Sequence, residues 1–129
     1  MANPNIVSVS SIYGECCGWA LTTGLTTTLF TVSSDKLIKI NRIVCANVDG
    51  TNAADLNLYI TTSIQTSLGG TVAGGATNIY LAKTISVPAD ASLVVSDTPI
   101  YLRENDILKG GASATGDLEL FITYEVIAV

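Results

Sequence analysis

Histidine is absent from all 129 residues. That removes the side chain that most often acts as general base, binds metal, or activates a serine or cysteine nucleophile near neutral pH. Active sites cluster perturbed groups, yet the acids here are spread through turns and no Gly-x-Ser-x-Gly elbow occurs. The expectation is therefore a non-enzymatic protein with no cofactor and no metal. Three cysteines are present, two of them adjacent as Cys16 and Cys17. Neighbouring strand residues point to opposite faces, so the pair neither shares one ion nor bridges internally without strain. One thiol is expected to pack as a small hydrophobe and the other to lie at an edge or interface, with Cys45 buried in a central strand. The odd count leaves an intersubunit bond through Cys16 or Cys17 open.

Other chemistry-bearing patterns resolve into turns. Asn47, Asp49, Asn52 and Asp55 place oxygens around one loop as a Ca2+ site would. The D-x-[DN]-x-[DN]-G register and the downstream bidentate Glu are missing, and Asx side chains commonly cap local backbone groups. Gly69-Gly70 and Gly74-Gly75 suggest a phosphate cradle only superficially, because no Gly-Lys-Ser/Thr and no helix follows. Trp19 and the tyrosines at 13, 59, 80, 101 and 124 are candidates for protein contacts or sugar stacking. Most are expected within the sandwich, while Tyr13 and Trp19, flanking Gly14–Gly18, suit an interface as well as a core.

The elements that must position these residues are strands. Short period-2 segments rich in Val, Ile, Thr and Tyr alternate with Gly, Asn and Asp. The alternation predicts strands over Ile6–Ile12, Leu29–Val32, Leu37–Val48, Asp55–Thr61, Ile79–Val87, Ala91–Val95, Pro99–Arg103 and the run from Leu118 through Tyr124. In the longest run, Ile38 and Ile40 lie on one phase and Ile43 and Cys45 on the other, which requires a bulge near Asn41 and Arg42. The glycine-rich Gly69–Gly75 reads as an exposed loop or hairpin tip. Eight or so strands at this spacing predict an all-β protein, an antiparallel jelly-roll-like sandwich. Residues 1–12 form an N-terminal arm or edge strand and residues 13–129 a single domain. The phase names a core of Leu29, Ile38, Ile40, Ile43, Leu56, Leu58, Ile60, Leu81, Ile85, Ile100, Leu102, Leu118, Leu120 and Ile122.

Composition constrains the partners. Hydrophobic residues make up 48% and charged residues only 13%, about half the usual fraction, so part of the outer surface is expected to face protein. The net charge is −5 with the six basic residues scattered, which disfavours nucleic acid. No apolar run approaches the ~20 residues of a spanning helix, and the opening Met1-Ala2-Asn3-Pro4-Asn5 lacks a secretory pattern, so no membrane role is expected.

Several stretches carry a resemblance. Ala2-Asn3-Pro4-Asn5-Ile6-Val7 and Ser11-Ile12-Tyr13-Gly14 open it, followed by Lys39-Ile40-Asn41 and Asn47 through Asp55. Tyr80 through Ala91, Ile100-Tyr101-Leu102, Asp117-Leu118-Glu119-Leu120 and Thr123-Tyr124-Glu125 continue it. Together they resemble small virion structural proteins of marine tailed bacteriophages, especially cyanophages, of the capsid decoration or cement type. Glu15-Cys16-Cys17-Gly18-Trp19 and the Gly69–Gly75 insertion depart from that pattern.

The resemblance implies a virion structural protein, assembled in the host cytoplasm, and the low charge, high Thr/Ser content and apolar N-terminal segment favour a place in a symmetric lattice, on the capsid surface. Its partners would be the major capsid protein and other copies of itself, as a homotrimer at local threefold positions. A tail, neck or fibre-associated role and a host-glycan attachment module are the alternatives. The residues expected at contacts are Ile6, Val7, Tyr13, Trp19 and Leu25, with the Ile6–Ile12 arm adding a strand to a neighbour.

Overall fold

Branched apolar residues alternating with Thr, Ser and Asn fit a pleated, half-buried surface, and the chain forms strands almost wherever that alternation runs. A computed structural model describes residues 10–62, 66–67, 70–71 and 77–128. Its strands are β1 (Ser11–Ala20), β2 (Thr28–Thr31), β3 (Lys36–Asn47), β4 (Ala54–Thr61), β5 (Thr66–Ser67) and β6 (Gly70–Thr71), then β7 (Asn78–Val87), β8 (Ser92–Ser96), β9 (Ile100–Leu102), β10 (Ile107–Ala112) and β11 (Leu118–Ala128). Among the described residues no helix is long and apolar enough to cross a membrane.

All strand pairs are antiparallel and make two facing sheets. One runs β1-β11-β3-β8, with β9 also on β3; the other runs β2-β10-β4-β7, and β5 pairs only with β6. Strand β8 pairs with Ile43–Ala46 and β9 with Ile38–Ile40 of β3, on opposite sides of the β3 bulge, so the two act as one interrupted strand. Counted that way, one sheet takes the first, last, third and sixth strands and the other the second, seventh, fourth and fifth. This is the eight-stranded jelly-roll order; periodicity predicts the sandwich, and the registers supply the order.

The expected bulge in β3 is present. Thr123 lies opposite Arg42 and Tyr124 opposite Ile40, leaving Asn41 as the extra residue. That one insertion returns Ile43 and Cys45 to the face of Ile38 and Ile40, and all four are buried.

The core fills the space between the sheets. Ile38, Ile40, Ile43, Leu56, Leu58, Leu102, Leu118, Leu120 and Ile122 are buried, while Leu29, Ile60, Leu81 and Ile100 are partly buried against them. Ile85 departs from the expectation and is 41% exposed. Thr84 before it has φ 52° and gives its amide to Asn57 Oδ1 at 3.0 Å. The β4–β7 register shifts on either side of Leu58, so strict alternation fails along β7. Leu21, Val32, Val87 and Leu108 also join the core, from the ends and flanks of their strands.

One further expectation changes, at the N-terminus. The segment from Tyr13 to Trp19 is the body of β1, a ten-residue strand paired throughout with β11. The boundary expected after residue 12 falls inside that strand, and Ile6–Val9 lie outside the described residues. Of the glycine-rich segment, Gly70 belongs to β6, while Gly69, Gly74 and Gly75 lie outside the described residues.

Candidate binding surface

The loop that supplied oxygen ligands on paper is a capping network. Asn47 is 3% exposed; its Nδ2 donates to Val87 O at 2.9 Å and Asn52 O at 3.0 Å, and its Oδ1 accepts from the Asp49 amide at 2.9 Å. Asp49 accepts from the amides of Thr51 and Asn52, and these bonds hold its carboxyl below the usual range. Asp55 offers its own amide to Ser113 Oγ. Among the described residues no three His, Cys, Asp or Glu side chains gather as a metal site.

The cysteines divide by strand phase. Cys17 packs against the core and Cys16 is exposed on the other face of β1. Burial, the largest effect, raises the Cys17 thiol above its ordinary value, against the lowering effect of a hydrogen bond with Tyr124. Cys45 is fully buried and burial pushes its thiol up to about 11.

All five tyrosines lie on strands of the sandwich, as expected; Tyr13, Tyr80 and Tyr101 are each about half exposed, Tyr59 is buried and Tyr124 packs against the core. The Tyr80 ring lies 5.0 Å from the Tyr59 ring, and Lys83 Nζ sits 5.2 Å from its centroid, so protein groups already occupy it. Of the residues expected at contacts, Tyr13 is exposed near the start of β1, Trp19 packs against the core near its end, and Leu25 is exposed in the loop after it. They form no single patch. Ile6 and Val7 lie outside the described residues.

A different surface emerges from the outward phase of the five-stranded sheet. The register lines up Gly18 of β1, Phe121 of β11, Val44 of β3 and Val94 of β8 in one row across four strands. Their in-chain neighbours Cys17, Leu120, Ile122, Cys45, Leu93 and Val95 face the core, so this row faces out. Phe121 is 47% exposed and Val94 44%. The next row is Ala20, Glu119, Ala46 and Ser92. A shallow hollow of about 400 Å3 runs over Gly18, Ala20, Val44, Ala46 and Phe121.

Gly18 leaves room here. A Cβ on it would lie 3.2 Å from Phe121 Cδ1 and 3.2 Å from Leu120 O, so the absent side chain lets the ring lie across β1. Two rows further along the face turns polar: Gly14, Glu125, Lys39 and Tyr101 align, with Lys39 Nζ 3.8 Å from Glu125 Oε2. The apolar character is thus confined to this one row and the flanking alanines: Glu119 and Ser92 lie in the row on one side, and Cys16, Thr123 and Arg42 in the row on the other, so polar groups surround an apolar centre as they do in protein interfaces. Sequence phase carried the signal, since Phe121, Val44 and Val94 are apolar residues in the outward phase of their strands. Attention to the inward phase passes over them.

No protein-family model matches the chain, and no curated protein matches it.

Proposed function

We propose that this chain is a structural protein of a tailed-phage particle, a capsid decoration protein that binds the lattice of the major capsid protein and strengthens the head. The observation that carries the reading is the outward row of Gly18, Phe121, Val44 and Val94, an apolar strip on the outside of a sandwich whose core is already closed. Surface of this kind marks a contact with another protein. Two lines add support: the stretches that resemble cyanophage virion proteins, and the jelly-roll order, which recurs among viral capsid domains. The latter is an analogy of fold.

The mechanism is linkage. A subunit that binds only the assembled lattice stabilises it by mass action, with no chemistry required. In this proposal the apolar row seats on the major capsid protein, the polar residues on either side form the rim, and copies gather as trimers at local threefold positions on the virion surface after assembly in the host cytoplasm. Cryo-EM of purified particles with quantitative mass spectrometry tests it. Hundreds of copies on the shell support decoration; a few tens confined to the tail or neck refute it and leave a tail-building role.

A further inference from the structure

We propose that the open edge of β1 pairs antiparallel with β1 of a second copy, in a register centred on Cys16. Leu21 N donates to Leu118 O at 2.9 Å, in register with the β1–β11 ladder. The odd-numbered residues of β1 therefore bond to β11, and the N–H and C=O groups of Ile12, Gly14, Cys16, Gly18 and Ala20 point to the other side. Among the described residues no strand pairs there. An open strand edge is a template for another chain unless it is blunted by shortness, Pro, Lys or a bulge. Strand β1 is ten residues long, contains no Pro or Lys, and keeps an unbroken register with β11. Ile12 through Cys16 are exposed on both faces.

The occupant follows from the strand's own symmetry. An isologous contact needs a self-complementary surface, and β1 reads nearly alike in both directions about Cys16. Pairing Cys16 with the partner's Cys16 sets Gly14 against the partner's Gly18, Tyr13 against the partner's Trp19 and Ile12 against the partner's Ala20. Each of the even-numbered pairs exchanges two hydrogen bonds, and the Tyr–Trp pairs add cross-strand aromatic contact. The neighbouring full-length register, shifted by two, would set Glu15 directly against the partner's Glu15, a like-charge pair that disfavours it. In the favoured register Glu15 meets the partner's Cys17.

Gly14 fits the same reading. A Cβ there would meet nothing within 4 Å inside its own subunit, so no side chain of the subunit crowds this stretch of the edge. A twofold contact joins copies in pairs, so on a shell it links neighbouring threefold clusters. It uses the backbone edge of β1 rather than the outward side chains of the apolar row, with Gly18 common to both, and does not rest on the particle reading.

Short-range disulfide cross-linking of the purified full chain by copper phenanthroline tests it. Hydrogen-bonded antiparallel partners have Cα atoms about 5.5 Å apart, within disulfide reach. The wild type and Cys17→Ser should give a two-chain band on non-reducing gels, with a Cys16–Cys16 peptide by mass spectrometry, and Cys16→Ser should give none. In the Cys16→Ser background, Ala20→Cys alone should not cross-link to itself but should cross-link to Ile12→Cys. Gly14→Pro, which removes an outward N–H while sparing the β11 ladder, should weaken self-association at least tenfold by sedimentation with an unchanged far-UV spectrum. Equal cross-linking of Ala20→Cys with itself, linkage through Cys17, or a monomer at every concentration overturns the proposal.

Discussion

Replacing Phe121 by Ser separates the outward surface from the core. A large aromatic side chain carries about 150–250 Å2, so the 47% left open on Phe121 is ~90 Å2, worth about 2 kcal/mol at ~25 cal/mol per Å2 if covered on docking. That is roughly a 30-fold loss in affinity for undecorated heads. The ring's covered half, lying across Gly18, is worth at most a similar amount to folding, because extended-chain burial is an upper bound. Leu120, the preceding residue, is 1% exposed, and its truncation to Ala should cost about 2–5 kcal/mol of stability through transfer and cavity effects. The pair should therefore split: Phe121→Ser folds with a small drop in Tm and binds weakly, whereas Leu120→Ala, once corrected for its unfolded fraction, binds normally. Titration of labelled protein onto undecorated heads, with denaturant melts of both variants, reads the two effects. A Phe121→Ser affinity within twofold of wild type would show that the outward row does not contact the shell.

Three further perturbations address the network beneath that face. Asn47→Ala strands the Val87 carbonyl and the Asp49 amide without their partner, and a denaturant melt should show a loss of about 2–3 kcal/mol, as for other buried unpaired groups. Asp49 is held below the usual range by the amides of Thr51 and Asn52, so its contribution is complete above the unfolded carboxyl pKa and disappears as pH falls through the folded value; Asp49→Asn should flatten that part of the acid limb of stability against pH. Cys45 has its thiol raised from 9.0 to about 11, so its contribution is full below pH 9 and falls between pH 9 and about 11 as only the unfolded state ionises. Cys45→Ala should be less stable at neutral pH yet lose less of its stability across that alkaline interval, as urea melts at stepped pH would show.

Where physics acts along one strand, the fold was legible in sequence. The phase conflict between Ile40 and Ile43 demanded an extra residue, and Asn41 is that residue, because burial of both halves of β3 outweighs the local break in the ladder. Where position depends on what lies across a gap, periodicity was silent. Ile85 alternates correctly but is freed by the left-handed turn at Thr84. The stretch from Tyr13 to Trp19 reads poorly as a strand because Gly14, Glu15 and Gly18 dilute its pattern, and its pairing is supplied by the strongly patterned β11. A weakly patterned strand can be held by a strong neighbour, and that information sits a hundred residues away.

The candidate surface was hidden for the opposite reason. Tyr13, Trp19 and Leu25 are conspicuous by type, yet they spread from one end of β1 into the loop beyond. Phe121, Val44 and Gly18 are unremarkable by type and become a row only when two separate registers align them. A sandwich gains nothing for its own core from an apolar residue in the outward phase, where Thr or Ser would fit the pleat and remain hydrated. Two such residues directly opposed, with a glycine beside them that a Cβ would crowd against the aromatic ring, are placed there by the sheet as a unit. The proposed contact would use that arrangement, while a cross-strand Phe–Val pair also adds about 0.2–1 kcal/mol to the sheet itself, and the contrast between Phe121 and Leu120 is where binding and folding separate.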